Sequence, residues 1–175
     1  MHDILFATQL FTGFENLLCL GELCWPDKVA LCDYHKVTMQ HTVKRFNNYF
    51  NLSLPTHKGD AFFEGNCLII QHTSAKAFDL FTQYLMFQNQ KFQAHPELWL
   101  WSDSTIPTCS WFMAWLHTFF PHSIGGQSMH VGGATALTET GVTPALNQAA
   151  GRWSLDTFNH YIQKNVFLFG VLLIS

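Results

Sequence analysis

A change of hydrophobic period inside an otherwise helical chain constrains this sequence most. Between residues 37 and 71 the apolar residues come in short alternating runs. Val37-Thr38-Met39-Gln40-His41-Thr42-Val43 alternates, as do residues 46–54, and residues 66–71 form a short apolar run containing Ile69-Ile70. Pro55, Gly59, Asp60 and Gly65 fall between the runs as turn residues, so the pattern predicts three short antiparallel strands. On either side the texture is helical. Residues 4–24 read as a buried helical region interrupted near Gly13 and closed by Trp25-Pro26-Asp27. Phe78, Phe81, Leu85 and Phe92 share one face of a helix over 75–92, which His95-Pro96 ends. Ser110 is placed to cap a helix carrying Trp111, Trp115 and Phe119, which stops before Pro121. Residues 129–140 predict a helix up to Gly141, Thr143-Pro144 opens another, and Ser154 caps a last one running toward Lys164. The fold class that satisfies this order is α+β: a mostly helical body with a small inserted sheet of about three antiparallel strands.

The bulk numbers narrow the class further. The 175 residues suit one domain spanning 1–175, and 48% hydrophobic against 12% charged residues excludes a disordered chain. Nine Lys+Arg against twelve Asp+Glu give a net charge of −3, and only Arg45 and Arg152 are arginines. That balance argues against a strong duplex binder on electrostatics alone. The five cysteines contain no CxxC pair, so reduced thiols in an intracellular protein are expected, without disulfides. No basic stretch precedes the first apolar residues, as a signal peptide would require. The apolar run 166–174 is nine residues, far short of the ~20 a membrane helix needs, and is expected to dock as a C-terminal helix. Ten histidines include no HExxH and no paired Cys/His spacing, so neither a metal nor another cofactor is expected. The tryptophans at 99, 101, 111 and 115 have the spacing of core residues rather than of a base-stacking surface.

Four blocks in order carry a resemblance. Leu17-Leu18-Cys19-Leu20-Gly21-Glu22-Leu23 resembles a Leu-Leu-Arg-hydrophobic-Gly/Ser-Glu-Leu helix. Gly126-Gln127-Ser128-Met129-His130-Val131-Gly132-Gly133-Ala134-Thr135 resembles Gly-His-Ser-x-Arg-x-Gly-x-Ala-Thr. Gly151-Arg152-Trp153-Ser154 through Tyr161-Ile162 is similar to a Gly-Arg-Trp-Ser-x-Asp opening with a closing Tyr-Ile. Between the first two, Leu54-Pro55-Thr56-His57-Lys58-Gly59-Asp60 sits in a predicted strand-to-strand turn. Together these blocks resemble the catalytic domain of tyrosine recombinases, and the likeness is closest to the fungal mobile-element versions of the DIRS and Crypton kind.

The resemblance implies DNA strand breakage and rejoining through a 3′-phosphotyrosyl intermediate. It places the nucleophile at Tyr161, the lysine that protonates the 5′-hydroxyl at Lys58, and the second His/Trp position at Trp153 or the adjacent Arg152. Such chemistry needs cationic donors aimed in advance at the charge that builds up on phosphorus. At those positions the sequence departs from the family. Cys19 stands for the first arginine, Gln127 for the first histidine and His130 for the second arginine. Losing one preorganised donor typically costs ~10²–10³ in rate, and losing two costs ~10⁴–10⁶, although such losses are not additive. An imidazolium at His130 would compensate in part, since a pKa near 6.5 leaves about a quarter charged at pH 7.

The expectation is a recombinase-like pseudoenzyme whose partner is double-stranded DNA, bound weakly. The family's N-terminal DNA-clamping domain is expected to be absent, and the C-terminal helix is a candidate homo-oligomer contact. A DNA-acting protein of this kind is expected in the nucleus. The alternative is a non-catalytic DNA-binding or protein-interaction module derived from a mobile-element recombinase.

Overall fold

The computed structural model describes residues 2–55, 66–72 and 75–152. Lys58, Trp153, Tyr161, the expected helix from Ser154 and the apolar run 166–174 lie outside them.

The first helix, α1 (His2–Glu15), presents Leu5, Phe6, Thr8, Gln9 and Thr12 to the interior. It runs through Gly13 instead of breaking there as the sequence suggests. Gly13 stays helical because it is a contact point: a Cβ on it would lie 2.9 Å from Leu23 Cδ1 and 3.3 Å from Met129 Sδ. The break comes at Leu17, whose φ of 51° is left-handed. The Leu18 N–H donates to Gly13 O at 2.8 Å, the six-to-one closure of a Schellman turn. A leucine in this conformation is strained, and its complete burial offsets the cost.

A one-turn helix, α2 (Leu20–Leu23), follows. The chain then makes short 3-10 turns before the sheet of β1 (Val43–Arg45), β2 (Tyr49–Leu54) and β3 (Asn66–Gln71), antiparallel in the order β1-β2-β3. The alternation predicted from Val37 yields no strand until Val43. Gln40–Thr42 is a 3-10 turn closed by the Thr42 hydroxyl on Met39 O at 2.7 Å, a local side-chain bond that competes with sheet pairing. In β2 the period-2 reading holds, since Phe50, Leu52 and Leu54 point inward. Phe50 pairs with Ile70 and Leu52 with Leu68 across the sheet.

The inner face of the sheet packs on α3 (Ala75–Lys91), with Phe50 lying 5.0 Å and 5.1 Å from the rings of Phe78 and Phe81. α4 (Cys109–Phe119) begins two residues earlier than expected. Thr108 is its cap, accepting from the Trp111 N–H, while the Ser110 N–H donates to Asp27. Phe6 packs among Trp111, Phe112, Trp115 and Phe119, so the tryptophan stripe of α4 faces α1. α5 (Gln127–Glu139) ends at Thr140, followed by Gly141 at φ 86°, as its sequence predicts. α6 (Pro144–Gly151) starts with Pro144 at its first position, also as predicted.

Two devices fix α5. At Gly133 an added Cβ would meet Phe14 O at 2.1 Å and Leu17 Cδ2 at 2.6 Å, so α5 and the end of α1 approach to backbone contact. Buried Asn147 of α6 donates to Ala134 O at 2.8 Å and to Thr138 Oγ1 at 2.9 Å, which pins α6 onto α5. Together they bring the end of α1, the start of α2, the first turn and a half of α5 and the end of α6 to one place.

Candidate functional site

That place holds four of the side chains in the motif blocks. Cys19 is the residue before α2, and its backbone N–H donates to Glu22 Oε2 at 2.6 Å, so Glu22 folds back over the start of its own helix. His130 lies on α5, one turn beyond Gln127, and is 4% exposed. Its Nδ1 is 3.5 Å from Cys19 Sγ. Arg152 follows α6 in the left-handed region, at φ 54° and ψ 34°. That conformation turns its guanidinium inward, where Nη2 donates to Glu22 Oε1 at 3.2 Å, Glu22 Oε2 at 3.1 Å and Leu17 O at 3.3 Å. Both partners of this ion pair are largely shielded, 14% and 13% exposed.

The electrostatics follow from this packing. Desolvation by burial pushes the His130 imidazole down to about 4, the Arg152 guanidinium pushes the same way, and a hydrogen bond to the Gly151 backbone opposes them. The expected partial imidazolium is therefore disfavoured: burial and the Arg152 guanidinium make the neutral imidazole the dominant form at pH 7. Cys19 is exposed as a residue, yet its Sγ is turned toward His130. Desolvation raises its thiol, the Glu22 carboxylate raises it further and Arg152 pulls it back. A protonated thiol and a neutral imidazole share one hydrogen bond, whose direction is set by which ring nitrogen carries the proton. This pair is neither an activated nucleophile nor a cation.

The structure thus brings Cys19, His130 and Arg152 together and leaves Gln127 exposed on the first turn of α5. It also adds a residue that the motif reading passes over as part of a helix pattern. Glu22 touches Arg152 and the Cys19 backbone, and the only local hint of it is an acidic residue three positions after the cap residue Cys19. Neither its pairing with a residue 130 positions away nor the Leu17 carbonyl has any local sequence signature. Lys58, Trp153 and Tyr161 lie outside the described residues. Among the described residues no group of three or more His, Cys, Asp or Glu side chains could hold a metal ion.

Solved structures share this architecture. The chain superposes with a TM-score of 0.58 on the XerH site-specific recombinase bound to difH substrate in a pre-cleavage complex, at 15% identity, covering 91% of this chain and 42% of that one. The XerH post-cleavage complex with palindromic difH gives 0.56 at 14% identity, covering 93% and 42%. The Tn1549 transposon integrase in complex with transposon right-end DNA gives 0.53 at 12% identity, covering 89% and 52%. The fold is that of a tyrosine-recombinase catalytic domain. This recombinase-fold chain spans about half or less of the length of those proteins. No protein-family model matches the chain, and no curated protein matches it. No helix among the described residues is long and apolar enough to cross a membrane.

Proposed function

We propose that this chain is a recombinase-derived domain, closest in its motifs to the DIRS and Crypton mobile-element type, which contacts duplex DNA weakly and has lost competent strand cleavage. One observation carries the reading. At the junction of α2, α5 and α6, where the motif resemblance calls for two phosphate-facing arginines, the side chains are a protonated thiol and a neutral imidazole. The one guanidinium there is already paired with Glu22. A phosphoryl-transfer transition state gains from preorganised, uncommitted positive charge, and the described residues at this junction offer none. Tyr161 as nucleophile, Lys58 as proton donor and Trp153 beside them remain part of the proposal on the strength of the motifs alone. With those groups intact, the missing clamp would still cost ~10⁴–10⁶ in rate.

Fluorescence anisotropy with a labelled duplex across a salt series tests the DNA contact. The expected result is a weak affinity whose logarithm falls with log[salt] by roughly 0.9 per neutralised phosphate, with a slope corresponding to only a few contacts. Absence of binding at low salt would contradict the DNA-contact reading.

A further inference from the structure

Arg152 is held unusually for a partner in a stable ion pair. A guanidinium grips a carboxylate best with two parallel N–H donors on two oxygens. Here a single nitrogen, Nη2, is shared among both Glu22 oxygens and the Leu17 carbonyl. Among the described residues Nη1 has only a long 3.5 Å approach to Ala150 O. The fork is therefore engaged through one tine. Glu22, by contrast, has a second and shorter donor in the Cys19 N–H at 2.6 Å, so it keeps a partner if Arg152 departs. Arg152 also sits in a backbone conformation that costs a non-glycine residue energy, at the point where the chain passes into residues 153–175.

We propose that Glu22 is an internal counter-ion that holds Arg152 in reserve, and that a phosphate oxygen competes with Glu22 for the guanidinium. A phosphate presents the oxygen pair that the present geometry leaves unmatched, and the arginine prefers such a fork. The neighbouring groups favour the exchange, because the imidazole of His130 and the thiol of Cys19 carry no charge to repel an incoming anion. The inference rests on the reading above for the identity of its ligand, a backbone phosphate of DNA, but not for the exchange itself.

Glu22→Gln keeps an acceptor for the Cys19 N–H and removes the competing charge. Titration with inorganic pyrophosphate, and separately with a duplex, should show the variant binding at least about fivefold more tightly than the unaltered chain, the size expected from releasing one partly shielded ion pair. The gain should vanish in the Glu22→Gln, Arg152→Gln double variant. The unaltered protein supplies a second readout that needs no substitution. An anion on Arg152 disfavours the Cys19 thiolate, so pyrophosphate should slow peptide-resolved alkylation of Cys19, and this slowing should be absent in Arg152→Gln. An Arg152-dependent gain with pyrophosphate, but no duplex binding by either protein, supports the exchange and refutes the DNA reading. No Arg152-dependent gain with either probe, or Cys19 alkylation indifferent to pyrophosphate, overturns the exchange whatever the duplex affinity.

Discussion

His130 shows how one substitution is absorbed at the scale of a residue. The family pattern asks for a cation at this position on α5. Burial at 4% exposure makes a cation expensive there, and Arg152 alongside makes it more so. A neutral imidazole is the form the site tolerates, and that gives a pH dependence with a definite sign. The folded-state pKa, about 4, lies below the unfolded value near 6.5, so between these limits the unfolded chain binds a proton that the folded chain does not. Stability from this group is complete above pH 6.5 and is lost as pH falls toward 4, by on the order of 3 kcal/mol in all. Urea midpoints between pH 7.5 and 4.5 should therefore fall more in the unaltered protein than in His130→Gln. An NMR titration placing the His130 midpoint near 6.5 would contradict the account. The motif blocks single out Cys19, Gln127 and His130 from the sequence alone. The protonation of Cys19 and His130 has no such local signature, because burial and the approach of Arg152 are properties of the packed chain.

At the scale of elements, glycine spacing decides how the site is assembled. Gly133 lets α5 meet the end of α1 at backbone distance, and the atom a methyl would strike, Phe14 O, cannot rotate away. Gly133→Ala should cost about 3 kcal/mol, at the upper end of overpacking penalties, which lowers Tm by roughly 6–12 °C in a domain of this size. Gly21→Ala is the matched control. Its Cβ meets nothing within 4 Å, so Tm should hold or rise slightly. Equal losses in the two variants would refute the close-approach argument. The elements themselves were read well where period and punctuation agreed, as in β2, β3, α3 and the Gly141 and Pro144 boundaries. Three readings failed, each to a contact the local pattern does not contain. Gly13 looks like a breaker but serves as a packing point. Ser110 looks like a cap, but Thr108 takes that role and the Ser110 amide goes to Asp27. The alternation from Val37 loses to the 3-10 turn that Thr42 closes.

At the scale of the molecule, the small inserted sheet and the surrounding helices reproduce the recombinase fold at 12–15% identity. A net charge of −3 with two arginines is unusual for a domain that handles DNA. The site explains part of that. One of the two arginines is committed to Glu22, and the motif positions that would carry others hold Cys19 and His130. The proposed function follows from that pairing: the architecture is shared with the recombinases, and the loss of the charge that phosphoryl transfer requires is the proposal to be tested. The direct test is a nicked suicide duplex, which traps any 3′-phosphotyrosyl protein–DNA adduct as a shifted band on a denaturing gel. The account predicts no adduct from the unaltered chain under conditions where duplex binding is measurable. A covalent adduct that forms with the unaltered chain and disappears in Tyr161→Phe would contradict it.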